Sequence, residues 1–356
     1  MGALRLRWRS ATAAALAVAV GLAALPALGQ GVGSTPAGQV ALKGAGATFP
    51  APLYEKWIQT YRLDHPDVAI SYDAVGSGEG QRRFLAAGVD FGASDAALTD
   101  EQITRAPLGA RLVPVTAGII VLAYNLPGLG GPLRLSRDVL VDIFAGRIRT
   151  WNDARIGAAN PGLSLPNRHI AVVVRQDSSG TTFAFTNHLS AISDTWRDRG
   201  PGAATLIDWR GRAMLARGNE GVAGRIKVSE GSIGYVEYHF AKRLGLPMAM
   251  LQNKAGRFIE PGERGGQAAL VDNVGQMPSN MRLFLPDPDG PESYPIVTFS
   301  WLLLQGRYAD PAKASALKKF VAWGLTQGQT VSRDLGYIPL PAEVASLSLA
   351  AVDRIN

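Results

Sequence analysis

Cysteine is absent from the 356 residues of this chain. Its absence excludes disulfide bonds, thiolate metal sites, a cysteine nucleophile and a lipid-modified N-terminal cysteine. Histidine is scarce as well, and the four histidines (His65, His169, His188 and His239) do not have the spacing of metal ligands. We therefore predict neither a metal site nor a cofactor, and we expect the hydrophobic core alone to stabilise the fold.

Long hydrophobic runs without charge are missing from the chain after residue 28. The one such run, at 11–28, follows three arginines, which is the layout of a secretory signal peptide. We predict that the signal peptide comprises residues 1–29 and is cleaved before Gln30. An uncleaved membrane anchor is the alternative, although the run is at the short end for a membrane span. The mature protein is expected to be exported and soluble.

Charge of neither sign is in large excess. The formal net charge is +7, and removal of the predicted signal peptide takes away three arginines and no acidic residue. No long block of Lys and Arg is interleaved with aromatic residues, so nucleic acid is a poor partner hypothesis. The remaining chain of about 327 residues is long enough for two domains.

Short helical and strand patterns alternate through the first part of the mature chain. Residues 30–39 have linker composition and are predicted to form a mobile arm. A helix is predicted around 53–61 and a half-buried strand over 68–72, from apolar spacings of four and two residues. A further helix should follow Ser77 and lead into a strand near 89–91. This alternation is typical of an α/β fold.

The same alternation repeats in a second unit. A buried strand is predicted at 118–125, with a turn-rich segment after it and then a helix capped by Ser136. Residues 254–293 are rich in Gly, Pro, Asn and Asp, which predicts long surface connections rather than a separate domain. The other predicted elements are a strand at 170–174, a helix at 185–192, a strand at 295–304 and a helix at 312–324.

Four loops place small hydrogen-bonding residues where a strand ends and a helix begins. They lie at 44–50, 76–80, 92–95 and 175–182. Such junctions aim free backbone N–H groups and the positive end of a helix dipole at one point, which suits an anion. Taken singly, each loop is also compatible with an ordinary helix cap, turn or surface ion pair. Their occurrence together, in this order, favours the anion site.

The loop sequences carry a resemblance to a known family. The matching segments are Gly44-Ala-Gly-Ala-Thr-Phe-Pro-Ala-Pro, Val89-Asp-Phe-Gly-Ala-Ser-Asp, Arg175-Gln-Asp-Ser-Ser-Gly-Thr and Gly231-Ser-Ile-Gly-Tyr-Val-Glu-Tyr. From about Val40 to its C-terminus, the chain resembles the substrate-binding component of the high-affinity phosphate ABC transporter.

The resemblance implies a two-lobed α/β fold of the type II periplasmic-binding-protein class. Lobe I is expected at 40–125 and 298–356, and lobe II at 126–297, with a two-segment hinge and the ligand cleft between them. The implied function is to bind inorganic phosphate in the periplasm and deliver it to the membrane permease subunits of a phosphate ABC transporter. The implied protein is a monomer and not an enzyme.

The resemblance also implies which residues bind phosphate. Lobe I is expected to contribute backbone N–H groups, hydroxyls and one carboxylate from Thr48, Phe49, Ser77 and Asp95. Lobe II is expected to contribute the Arg175 guanidinium and the amides and hydroxyls of Ser179, Gly180 and Thr181, with Asp177 orienting Arg175.

Asp95 is the informative member of this set. An ionised carboxylate only accepts hydrogen bonds, so it needs a ligand that still carries a proton. Phosphate near neutral pH carries one and sulfate carries none. We therefore predict that Asp95 selects against sulfate.

Two positions depart from the family pattern. Glu79 stands where a small residue is expected, and a second carboxylate near an anion is unfavourable unless it points to solvent. Ser178 stands where glycine is frequent. These departures concern the local geometry of the loops and leave the implied function unchanged.

Two alternative functions remain open on the sequence alone. A phosphoesterase could use Ser179 or Ser77 as nucleophile, but no Gly-x-Ser-x-Gly motif with a matching histidine and acid surrounds either serine. The same fold could also bind molybdate or sulfate, or serve in adhesion or sensing, because such lobes host many anions.

Overall fold

The structure, a computed structural model, describes residues 38–209 and 213–356. The predicted signal peptide and all of the predicted arm before Gly38 lie outside the described residues. Gln39, at the end of the arm, donates a hydrogen bond from Nε2 to the Pro66 carbonyl at 2.8 Å. Within the described residues, no helix is both long and apolar enough to cross a membrane.

The described residues form eleven strands. They are β1 (Val40–Gly46), β2 (Val68–Ala74), β3 (Phe91–Ser94), β4 (Ala110–Asn125), β5 (Arg134–Leu135), β6 (Ala171–Arg175), β7 (Ala213–Ala216), β8 (Ser232–Glu237), β9 (Met250–Gln252), β10 (Phe258–Ile259) and β11 (Val297–Gln305).

Twelve α-helices accompany the strands in the described part of the chain. They are α1 (Ala51–Asp64), α2 (Ser77–Leu85), α3 (Asp100–Arg105), α4 (Arg137–Phe144), α5 (Ala154–Ala159), α6 (Gly180–Ile192), α7 (Gly218–Val228), α8 (Tyr238–Arg243), α9 (Glu263–Val271), α10 (Pro311–Leu325), α11 (Gly328–Asp334) and α12 (Ala342–Asp353). One π-helical turn, Thr195–Arg199, and one 3-10 turn, Val274–Gln276, complete the helical elements.

Most strands belong to one sheet, in the order β2-β1-β3-β11-β4-β8-β6-β7. Its two ends are parallel: β1 pairs with β2 and β3, and β6 pairs with β7 and β8. The middle is antiparallel, because β11 runs against both β3 and β4, and β4 runs against β8. The short strands β10, β9 and β5 form a second sheet.

The central strand β4 serves both halves of the large sheet. Its first part pairs with β11 as far as Ile119, and its second part pairs with β8 from Ile120 onward. All residues from Leu112 to Tyr124 are buried, in keeping with the uninterrupted apolar sequence at the end of the strand. One strand therefore carries the chain from one half of the sheet to the other.

The predicted start of this strand was wrong by eight residues, since β4 begins at Ala110 and not at residue 118. Pro114 and Thr116 interrupt the apolar pattern, and proline removes a donor from the ladder. The structure accommodates the proline at a register shift, where Ser300 pairs with Thr116 but Trp301 pairs with Pro114. A bulge of this kind cannot be read from apolar periodicity.

The segment 254–293 is also more regular than predicted. It contains β10 and the nine-residue helix α9, whose Ala269 and Leu270 are buried. Two adjacent glycines, Gly265 and Gly266, weakened the helical signal in the sequence. They are buried against Tyr294 and Ile338, so close packing accounts for their presence in the helix.

The remaining predicted helices and strands are found within a few residues of their expected positions. In α1 the apolar residues spaced four apart, Leu53, Trp57 and Tyr61, face the core. Trp57 Nε1 donates to the Gly328 carbonyl at 2.8 Å. The helix predicted after Ser77 begins at Ser77 itself.

Candidate anion-binding site

Three of the four predicted loops lie at one edge of the sheet. β1 pairs in parallel with β2 on one side and β3 on the other, and its last residue, Gly46, is opposite Ala74 and Ala93 near the ends of those strands. Because the carboxyl ends of parallel strands meet at the same edge, the loops that follow bring Thr48, Ser77 and Asp95 together. The Asp95 N–H donates to Ser77 Oγ at 3.3 Å. All three residues are buried, Ser77 and Asp95 to within 1% of full burial.

The fourth loop faces them from the end of β6. Ser179 is the N-cap of α6, and its Oγ accepts a hydrogen bond from the Thr182 N–H at 3.1 Å. Backbone N–H groups in the first turn of a helix have no carbonyl partner within the helix. The N–H groups of Gly180 and Thr181 therefore lie where α6 can donate to an anion, at the positive end of its dipole.

Gly180 lies in direct contact with the opposite loops. A Cβ added at Gly180 would lie 2.6 Å from both Asp95 Cβ and Ser77 Oγ, which is too close for real atoms. Glycine is therefore required for the two sides to approach. Nearby, the Gly78 N–H donates to the Ser178 carbonyl at 3.1 Å. Seven of the eight predicted ligand residues thus belong to one cluster built from both halves of the sheet, and the eighth, Phe49, is next to Thr48 in sequence.

Arg175 is held by Asp177 within this cluster. Arg175 Nε donates to Asp177 Oδ1 at 2.8 Å, Nη2 donates to Oδ2, and Nη1 lies 3.5 Å from Thr181 Oγ1. Asp177 Oδ1 also accepts the Gly218 N–H at 3.0 Å. Burial opposes the charge of Asp177, but the hydrogen bonds and positive charge of Arg175 outweigh it and lower the pKa of this carboxyl. The pair leaves one edge of the guanidinium available to a further acceptor.

Asp95 has a different environment from Asp177. Its Oδ1 accepts a hydrogen bond from Ser300 Oγ at 2.8 Å. Burial raises the pKa of Asp95 to about 7, although Ser300, the charge of Arg175 and Ser77 all favour ionisation. The carboxyl is thus balanced between its two protonation states near neutral pH, where the sequence reasoning treated it as fully ionised.

Phe49 follows Thr48 in the loop after β1, and its ring belongs to the core. The ring is fully buried, and its centroid lies 6.1 Å from that of Tyr337. The Tyr337 hydroxyl donates to the Phe49 carbonyl at 2.6 Å. The aromatic side chain therefore anchors the loop after β1 and holds its backbone N–H groups in place.

Two buried residues in the cluster were missed from the sequence. Asn219, in the first turn of α7, contacts the hydroxyls of Thr48 and Thr181, and Ser300 of β11 contacts Asp95. Gly218-Asn219 follows a strand and opens a helix, which is the same signal as in the four predicted loops and could have identified Asn219. Ser300 interrupts an apolar strand and is a buried polar residue without another sequence signature.

The two departures from the family pattern have clear partners. Glu79 accepts hydrogen bonds from Arg82 at 2.6 and 2.7 Å and from Arg83 at 2.8 Å, and these arginines lower its pKa to about 2. Ser178 Oγ hydrogen-bonds with Thr205 Oγ1 at 2.9 Å. The charge of Glu79 is therefore neutralised on its own helix.

Two of the four histidines have backbone carbonyl partners. His188 Nδ1 lies 2.6 Å from the Pro286 carbonyl, and His239 Nδ1 lies 2.8 Å from the Leu335 carbonyl. The part of the chain that the structure describes contains no group of three His, Asp or Glu side chains that could hold a metal ion. The chemistry of the cluster is that of hydrogen-bond donors, one guanidinium and two carboxyls.

Comparison with known proteins gives consistent matches over nearly the whole chain. A family model described as a PBP superfamily domain matches residues 32–327. The phosphate-binding protein PstS of Haemophilus influenzae is 38% identical over 317 residues, covering 88% of this chain and 93% of that protein. PstS of Methanocaldococcus jannaschii is 36% identical over 341 residues, covering 89% of this chain and 87% of that protein.

The fold is found among solved structures as well. A phosphate-binding protein from Stenotrophomonas maltophilia superposes with a TM-score of 0.71, at 19% identity, over 88% of this chain and 94% of that chain. At this identity the likeness concerns the fold, and it confirms the predicted two-lobed α/β architecture.

Proposed function

We propose that this protein, which belongs to the PBP superfamily and within it to the family of PstS phosphate-binding proteins, binds inorganic phosphate and delivers it to an ABC-type import permease. The named relatives are phosphate-binding proteins, and the role is one of binding rather than catalysis. The observation that carries the proposal is the convergence of four strand–helix loops, from both halves of the sheet, on a buried Arg175 and a buried Asp95.

The donors of the cluster account for affinity. The proposed ligand residues are the eight predicted ones: Thr48, Phe49, Ser77, Asp95, Arg175, Ser179, Gly180 and Thr181. Charge-assisted hydrogen bonds contribute roughly 1.5–3 kcal/mol each, so several of them together offset the desolvation of phosphate. Asp177 orients the Arg175 guanidinium and compensates part of its charge, which leaves neutral donors to surround most of the anion.

Asp95 accounts for selectivity. Phosphate and the Asp95 carboxyl together hold at least one proton near neutral pH, so one hydrogen bond forms between them whichever group carries that proton. Sulfate brings no proton, and it meets an acceptor without a donor whenever Asp95 is ionised. This contrast favours phosphate over sulfate, molybdate and other fully deprotonated anions.

The two-lobed division gives a mechanism for loading. We place lobe I at 40–125 and 298–356 and lobe II at 126–297, a division supported by the change of partner along β4 at Ile119 and Ile120. Ligand donors come from both lobes, so phosphate stabilises the closed arrangement in preference to an open one. A closed monomer then marks the loaded state for the permease.

The proposed location is the periplasm. The predicted signal peptide at 1–29 would direct export, and the PstS relatives match over most of the mature chain. Of the two serines considered as nucleophiles, Ser179 Oγ accepts the Thr182 N–H as the cap of α6, and Ser77 Oγ accepts the Asp95 N–H.

A calorimetric titration of the mature protein tests the function. Phosphate should bind tightly at pH 7.5, arsenate should compete with it, and sulfate should bind far more weakly. Equal affinity for sulfate and phosphate would overturn the assignment.

Small-angle scattering should show compaction on adding phosphate, and an unchanged profile would contradict lobe closure.

A further inference from the structure

Asn219 joins hydroxyls from the two lobes. Its Nδ2 lies 3.0 Å from Thr48 Oγ1 and 3.2 Å from Thr181 Oγ1, and its backbone N–H donates to Thr48 Oγ1 at 3.2 Å. The residue is fully buried at the start of α7. No other side chain in the described residues hydrogen-bonds to both threonines.

The orientation of the Asn219 side chain is set by a backbone donor. The Glu237 N–H donates to Asn219 Oδ1 at 3.0 Å. A backbone N–H can only donate, so the oxygen of the carboxamide must face Glu237 and the NH2 group must face the threonines. Each of the two amide protons is then donated to one threonine hydroxyl.

This arrangement determines what the hydroxyls can do. A hydroxyl has one proton and two acceptor lone pairs. Thr48 Oγ1 accepts two hydrogen bonds from Asn219, so its proton is left for a different acceptor. Thr181 Oγ1 accepts from Asn219 and lies 3.5 Å from the Arg175 Nη1 donor. Both hydroxyls are therefore held as donors, with acceptors required on the ligand side.

We propose that Asn219 is the positioning residue that makes the Thr48 and Thr181 hydroxyls donors to the anion and links the two lobes in the closed form. The inference rests on the proposed function, in which both threonines bind phosphate. Asn219 acts through these hydroxyls and has no ligand contact of its own. Neutral hydroxyls that are fixed in advance as donors would add to the single guanidinium of Arg175 in binding the anion.

Replacing the Asn219 amide donor by a carboxylate acceptor tests the direction of its hydrogen bonds to the two threonines. In Asn219→Asp at pH 8, the ionised side chain would accept the two threonine protons and add a negative charge beside the anion. We expect phosphate affinity to fall by about 100-fold or more, from the loss of two hydrogen bonds to a charged ligand. Wild-type affinity in a folded Asn219→Asp variant would overturn the proposal.

A double-mutant cycle distinguishes an effect of Asn219 through the threonine hydroxyls from a general disturbance of the structure. Asn219→Ala should weaken phosphate binding by about tenfold in the wild-type background. In a Thr48→Val and Thr181→Val background, the same substitution should change affinity by less than about twofold, because the hydroxyls through which it acts are gone. An undiminished effect in that background would refute the mechanism, and this readout remains informative if Asn219→Asp does not fold.

Asn253 provides the matched control. It is a fully buried asparagine that donates to the Gly290, Pro291 and Ser293 carbonyls, away from the cluster. Asn253→Ala should lower the free energy of unfolding in urea and leave phosphate affinity unchanged. Wild-type protein that fails to bind phosphate would contradict the proposed function itself, whereas a binding wild type with an insensitive Asn219 contradicts only this inference.

Discussion

The loops after β3 and β6 each place one aspartate in the same cluster, yet the two carboxyls differ in kind. Asp177 is paired with Arg175 through two hydrogen bonds, and its pKa is lowered. The Asp95 carboxyl accepts a hydrogen bond from the Ser300 hydroxyl, and burial raises its pKa to about 7. Neighbouring groups, and not the residue type, decide that one aspartate is a fixed charge and the other is a proton-sensitive acceptor.

Removing the Arg175 guanidinium should have the largest effect on phosphate affinity. Arg175→Met leaves Asp177 half-buried without its partner, with its negative charge beside the anion site. Because truncating one partner of a buried, hydrogen-bonded charge pair costs a complex about 2–5 kcal/mol, we expect phosphate affinity to fall by about 1000-fold in a calorimetric titration.

The control for that substitution is Arg137→Met. Arg137 also forms a two-point ion pair, with both contacts to Asp287 at 2.8 Å, but outside the cluster. It should affect the free energy of unfolding and not phosphate affinity. Adding Asp177→Asn to Arg175→Met should recover part of the lost affinity, and no recovery would contradict the charge argument.

Substituting Asp95 should alter the selectivity for phosphate over sulfate more than the affinity for phosphate. Asp95→Asn supplies an amide donor where the wild type has an acceptor, so sulfate no longer lacks a partner. We expect the phosphate-to-sulfate affinity ratio, measured by competition titration, to fall by about tenfold or more. A ratio equal to that of wild type would show that Asp95 does not discriminate between the ions.

The pH dependence of sulfate affinity tests whether Asp95 changes its protonation state near neutral pH. Because the pKa of Asp95 is raised to about 7, the carboxyl is neutral and able to donate below that pH and is ionised above it. Sulfate affinity should therefore rise about tenfold from pH 8 to pH 6 in wild type. Sulfate itself does not titrate in this range, and Asp95→Asn should show a flat profile; the same slope in both proteins would assign the effect to another group.

The smallest effect is expected at the third carboxylate near these loops. The arginines of α2 already neutralise Glu79, so Glu79→Gln should change phosphate affinity by less than about twofold. Ser77→Ala, at the start of the same helix, should lower it measurably. A large effect of Glu79→Gln would mean that its charge reaches the anion.

Local sequence was sufficient for much of the fold and most of the cluster. Thr48, Asp95 and Arg175 were assigned from the resemblance of their loop sequences to a known family, and the position of each loop between a strand and a helix agreed with an anion site. The start of β4 was missed because the bulge that accommodates Pro114 depends on its pairing with β11. Ser300 was missed because its importance comes from its contact with Asp95, which is distant in sequence. Asn219 lies at a junction of the same kind as the predicted loops, but its contacts with Thr48 and Thr181 depend on the fold.

The sequence by itself determined the absence of thiol chemistry, the α/β alternation and the residue types at the four junctions, since these are properties of composition and short-range spacing. Tertiary structure alone decided the rest. Burial set the protonation balance of Asp95, ion pairing set the charge of Asp177, and the Glu237 N–H set the orientation of Asn219. Each of these depends on the distance and solvent exposure of groups that only folding brings together, because electrostatic and hydrogen-bond energies depend on both.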